Sequence, residues 1–290
     1  VLIALVLCRF MHFAACMLLF GAAFFVSAFA PAALARRLTP SIKPVIAAAI
    51  LVAALSALAW LALEAGEMGE GWADSFNPDI LSDVLTGTAY GRVWIWRLAL
   101  ALILVCVLAF RQHHRLPFVA VISALLLASL GLVGHATMQA GVIGAGHRLN
   151  HSLHLLMAGG WLGGLWPFIL CLRQDAAAHQ HVGVALRRFS GVGHFAVALL
   201  VLTGVVNTVL TLGAWPIDFS SPYRTLLLAK IAVVALMIAM ALFNRYALTP
   251  RIKNDAEAAS RALAVNSAVE LALGALVLAL VSLFGILAPV

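Results

Sequence analysis

The sequence predicts an all-α, polytopic membrane protein with eight transmembrane helices, and three observations predict it. Hydrophobic residues make up 64% of the chain and charged residues only 10%, against about a quarter charged in soluble domains. Several apolar runs reach the ~20 residues a helix needs to cross a bilayer, and the short alternating segments of a membrane β-barrel are missing. The few charges are also sorted by loop.

The spans follow in order, each bounded by its loops. The first runs from Leu2 to Ala30. Its Ala28-Phe29-Ala30 resembles a signal-peptide cleavage site, but the run is too long, lacks a basic start and meets Pro31, so it reads as a membrane helix. A loop with Arg36, Arg37 and Lys43 leads to the second span, Pro44 to Gly66. An acidic stretch with Glu64, Glu67, Glu70, Asp74, Asp79 and Asp83 leads to the third, Arg92 to Phe110. Arg111 and Arg115 precede the fourth, Leu116 to Gly134, and a loop from His135 to Arg148 precedes the fifth, Asn150 to Leu172. Arg173, Arg187 and Arg188 flank the start of the sixth, Leu186 to Leu212, and Asp218 precedes the seventh, Arg224 to Tyr246. Arg251, Lys253 and Arg261 precede the eighth, Ala262 to Leu287.

The cationic loops alternate with the acidic and histidine-bearing ones, which places the cationic set in the cytoplasm. Both termini and the acidic loop then face the opposite side, which is the periplasm if the source is a Gram-negative bacterium. The net charge of +7 is accounted for by these loops and gives no reason to expect nucleic acid. Cys8, Cys16, Cys106 and Cys171 form no metal-binding spacing, and with no CxxCH covalent haem is excluded.

The chain reads as one transmembrane domain, 1–290, with a parallel repeat of units 1–134 and 150–290. His12 precedes Gly21 by nine residues, as His154 precedes Gly163. Tyr90 precedes Arg97 by seven, as Tyr223 precedes Lys230. Four helices per unit preserve orientation, so the two units are related by an axis along the membrane normal. His12 and His154 become symmetry mates able to share one metal.

The histidines carry the candidate chemistry. His147, His151 and His154 are spaced four and three apart, on one helix face. His135 and Met138 lie in the motif HATM at the outer end of span four. With His12, these residues combine imidazole with thioether, a donor set suited to copper. Gly159 with Gly163, and Gly160 with Gly164, let another helix approach closely. Deeper in the membrane, His194, Asn266 and Glu270 are candidates for a proton or ion path. Thr203 and Asn207 read as interhelical hydrogen bonders, Trp94 and Trp96 as interfacial aromatics, and His113, His114, His179 and His181 as polar loop residues.

The chain resembles the CopD copper-resistance family of bacterial inner-membrane proteins. The resemblance is carried by RFMHFAA, HLLMAGGWLGGLWPF, RRFSGVGHFAVALLVLTGVVNT, SPYRTLLLAK, FNRY and NSAVELALGALVLALVSLFG. Tyr223-Arg224 lacks the intervening glycine of Tyr90-Gly91-Arg92 and departs from the family's form. The resemblance implies a copper-handling protein that works with periplasmic copper-binding proteins and moves copper ions across the lipid bilayer.

Two further readings stay open. His12 and His154 on facing helices can also be axial ligands of haem b, in a membrane cytochrome that reduces periplasmic copper. A structural partner with no ligand is the third. The sequence contains no ATP-binding motif, so a transporter would draw on another driving force.

Overall fold

The structure, a computed structural model, describes all residues except 110–115, 176–177, 214–218, 254 and 290, together with the side chains of 109, 179 and 253. Arg111, His113, His114, Arg115, Asp218, the Lys253 side chain and the His179 ring lie outside what is described.

Among the described residues there is no strand, and nine α-helices form the fold. They are α1 (Leu2–Phe24), α2 (Ala32–Met68), α3 (Pro78–Gly87), α4 (Ala89–Ala109), α5 (Leu116–Ala128), α6 (Gly141–Leu172), α7 (His179–Leu212), α8 (Pro222–Phe243) and α9 (Ala256–Phe284). Seven of them are long and apolar enough to cross a membrane. The eighth apolar segment, Leu116–Leu132, is shorter. It is α5 followed by a 3₁₀ turn, Ser129–Leu132, together about 27 Å long against a hydrocarbon core of about 30 Å. The chain is a multi-pass membrane protein.

Several helices start earlier than the sequence predicts: α6 at Gly141 rather than Asn150, α7 at His179 rather than Leu186 and α9 at Ala256 rather than Ala262. α2 begins at Ala32 rather than Pro44 and carries Pro40 and Pro44 inside it. Leu34, Leu38, Ile42, Ile46 and Ile50, spaced by four, are each at most 1% exposed. Burying that stripe outweighs the two missing backbone donors. The acidic loop contains α3, which starts on Asn77 as N-cap, its side chain accepting from the Asp79 N–H, with Pro78 in the first turn.

α1 and α6 form the centre. They meet at Gly21, Gly159 and Gly163, where a Cβ on Gly21 would lie 2.4 Å from the Gly159 carbonyl oxygen. The small-residue spacing therefore does what it predicts. α2 and α5 pack on α1, with α4 against them both, and α7 and α9 pack on α6, with α8 against α9. α2 packs along α4, whereas α7 and α8 scarcely touch. Toward the cationic end, α6 to α9 line an open-mouthed cavity of about 910 Å³.

Candidate functional site

Two polar clusters sit inside the bundle, one in each half. In the N-terminal cluster His12 is fully buried. The Ser56 hydroxyl is committed to the Val52 carbonyl at 2.5 Å, so His12 Nδ1–H donates to Ser56 Oγ, at 2.8 Å. His12 Nε2 accepts from Arg97 Nη2 at 2.5 Å, and the Cys16 thiol lies 3.5 Å from the same nitrogen. Arg97, also fully buried, donates through Nη1 to Ser129 Oγ at 2.9 Å. Its guanidinium lies over Trp94 at 4.5 Å and beside Trp60 at 6.0 Å. Both nitrogens of His12 are engaged. Trp94, expected at the membrane interface, is fully buried; it holds the guanidinium and donates to the Ala57 carbonyl at 3.0 Å. Trp96 is 73% exposed, on the outer surface of the bundle.

The C-terminal cluster is built on α6. His147 Nδ1–H donates to Gln139 Oε1 at 2.7 Å. The Thr203 hydroxyl donates to the Leu199 carbonyl at 2.7 Å, so His154 Nδ1–H donates to Thr203 Oγ1, at 3.0 Å. Asn207 Nδ2 donates to His151 Nδ1 at 3.2 Å, while Asn150 Nδ2 holds Asn207 Oδ1 at 2.9 Å. These tautomers follow from the hydrogen-bond network. All three rings are therefore held through Nδ1, and His147 and His154 keep Nε2 as a lone pair. A ligating histidine is normally oriented in this way, its other nitrogen donating to an oxygen. The His151 and His154 rings are stacked, with centroids 6.3 Å apart and planes at 9°. Lys230 of α8 acts electrostatically on both.

His135 stands apart, in a 3₁₀ turn, Gly134–Thr137. Its Nε2–H donates to the Leu287 carbonyl at 3.1 Å. Burial holds its pKa below the ordinary 6.5, against the opposing pull of the Leu287 hydrogen bond. Met138 is 54% exposed beside it.

The inner candidates line up at the cavity. Glu270, 1% exposed, accepts from Asn244 Nδ2 at 2.6 Å. Asn244 Oδ1 in turn accepts from Asn266 at 2.9 Å. A π-helical turn, Asn244–Leu248, ends α8 and turns Asn244 inward. His194 Nδ1–H donates to the Ser190 carbonyl at 2.8 Å, and Tyr246 Oη lies 3.3 Å from its Nε2. His194, Asn244, Tyr246, Glu270 and Trp161 all line the cavity.

The structure thus gathers His147, His151 and His154 on one helix, and it links Asn266 to Glu270. His12 and His154 share no partner residue. Among the described residues no three His, Cys, Asp or Glu side chains converge as a ready-made metal cage. Sequence reasoning missed Ser56, Asn244 and Tyr246 as site residues. It noted Arg97 and Lys230 only as repeat markers, although a charged residue deep in an apolar span is itself a signal.

Residues 2–145 match the family described as copper resistance protein D-like, N-terminal domain, and residues 183–284 match copper resistance protein D. Inner membrane protein YebZ of Escherichia coli (strain K12) is 37% identical over 284 residues, 97% of each chain. The chain belongs to the copper resistance protein D family. Copper resistance protein D of Pseudomonas syringae pv. tomato is 33% identical over 71% of each chain. Copper transport protein CutJ of Bacillus subtilis (strain 168) is 26% identical over 59% of this chain and 33% of its own length. No solved structure matches significantly. The family and the apolar helices make this a multi-pass inner-membrane protein.

Proposed function

We propose that the protein transports copper ions across the inner membrane through its C-terminal half. One observation carries this reading. On one face of α6, His147 and His154 present Nε2 lone pairs two turns apart while their Nδ1–H groups are held by Gln139 and Thr203. Imidazole nitrogens so oriented suit copper. His135 and Met138 form the outer collecting point, and His151 stacks between the two stations. Two turns beyond His154, Trp161 reaches the cavity that contains His194 and Glu270. Glu270, linked through Asn244 to Asn266, is the group available to exchange a proton for the ion.

The cationic end of the bundle is cytoplasmic on this reading, with both termini periplasmic. A periplasmic copper-binding protein delivers the ion and docks on the acidic segment 64–83. His12 contributes a ligand only if Arg97 withdraws. Haem b is the weaker reading, because His12 has Nδ1 on Ser56 and Nε2 on Arg97 and so offers no free nitrogen as an axial ligand.

The test is radioactive copper uptake into vesicles holding the purified protein. His154→Ala should abolish uptake at unchanged protein level. Uptake at the unsubstituted rate would sink the reading. Glu270→Gln should flatten the pH dependence of uptake, and an unaltered pH profile would remove the proton role.

A further inference from the structure

We propose that Arg97 is a tethered monovalent cation seated in a masked Cu(I) site of the N-terminal half, with His12 Nε2 and Cys16 Sγ as the donors. The inference rests on the copper reading only for the identity of the ion. A buried guanidinium with no carboxylate costs several kcal/mol in desolvation. Among the described residues Arg97 forms no ion pair, and its Nε has no hydrogen-bond partner. What holds it is the His12 lone pair, one serine hydroxyl and two indole faces. That environment is built for a single positive charge rather than for a guanidinium fork, which would recruit a planar acceptor.

Cys16 lies 3.5 Å from the nitrogen Arg97 occupies, one helical turn from His12, and both side chains are fully buried. An imidazole and a thiolate are a soft pair that selects Cu(I). Exchange takes the seat from one positive charge to neutral: the guanidinium withdraws, Cu(I) bonds to Nε2 and to the Sγ thiolate, and the Cys16 proton leaves to solvent. While Arg97 stays, this half is metal-free. Among the described residues, the corresponding Lys230 in the other half forms no hydrogen bond to a histidine.

The experiment is anaerobic Cu(I) titration of the purified full chain, unsubstituted and as Arg97→Leu, which keeps an apolar stem and removes the charge without adding a sulfur donor. Arg97→Leu should bind one further equivalent, with copper–sulfur scattering in X-ray absorption. The gain should be lost in Arg97→Leu/Cys16→Ser and Arg97→Leu/His12→Ala. No added copper in a monodisperse, fully helical Arg97→Leu protein overturns the proposal, and so does a gain that survives both second substitutions. If Arg97→Leu does not fold, histidine ¹⁵N resonances of the unsubstituted protein decide. Copper sufficient to shift His154 should leave His12 unmoved, and a His12 shift overturns the proposal. The two readings fail separately. An unsubstituted protein that binds no copper defeats the transport reading, yet a His12-dependent gain in Arg97→Leu would still stand.

Discussion

The two halves carry the same polar frame and differ in what fills it. In each, a histidine donates through Nδ1 to a hydroxyl on the next long helix: His12 to Ser56, His154 to Thr203. In each, a cation comes from the third long helix: Arg97 in one, Lys230 in the other. One turn past Ser56 stands Trp60; one turn past Thr203 stands Asn207. Three residues before Arg97 stands Trp94; three before Lys230 stands Leu227. Indoles close the first half over its cation, and α2 packs on α4. Without them α7 and α8 stay apart, and His154 keeps a free lone pair. We propose that these are repeat units of which one is structural and the other functional.

Substitutions that treat the halves alike should separate them. The largest effect on stability belongs to His12→Ala, which removes the lone pair that accepts from the buried Arg97 guanidinium, at about 1.5–3 kcal/mol. His154→Ala removes one neutral hydrogen bond and should cost about 1 kcal/mol. Melting temperatures in detergent read both, and equal shifts would erase the distinction. Next is the shared seam. A Cβ on Gly163 would lie 2.0 Å from the Met17 carbonyl oxygen, so Gly163→Ala should destabilise the protein by roughly 1–3 kcal/mol through both halves. Third, Thr203→Val should weaken copper binding by about ten- to a hundredfold, the usual effect of losing a ligand's orienting partner. Ser56→Ala should leave copper affinity unchanged, and titration of the two variants side by side makes the comparison.

The smallest effect concerns pH. His135 is held neutral by burial below its ordinary pKa of 6.5. The folded state therefore binds fewer protons there than the unfolded state. Stability from this group is present above pH 6.5 and declines as pH falls below it. A His135→Gln protein should lose that acid sensitivity in melting curves between about pH 6.5 and 5, while one that kept it would place the effect elsewhere.

Much of this was legible in the chain. The apolar runs gave the order of the spans and most of their ends, but α6 and α7 start nine and seven residues earlier than predicted, because the helices continue through polar residues that hydropathy leaves out. Pro44 misled, because a buried stripe from Leu34 to Ile50 overrides a local breaker. The α6 histidines were legible because helical spacing alone puts them on one face. Their hydrogen-bond partners on α7 were noticed as polar, while Ser56 was not, since a serine in a span looks like any small residue. Trp94 misled in the other direction, because an aromatic near a helix end has the same sequence signature whether it meets lipid headgroups or a buried arginine.

The sequence by itself determined the membrane class, the order of spans and the family, because these depend on composition, periodicity and local motif. Only the tertiary structure decided which histidine has a lone pair to offer. His12 and His154 occupy matching sequence contexts, and the difference lies in residues from other helices. Arg97 reaches His12 Nε2 from α4, 85 positions along the chain. A ligand's availability is set by whatever occupies its free nitrogen, and that is a property of packing.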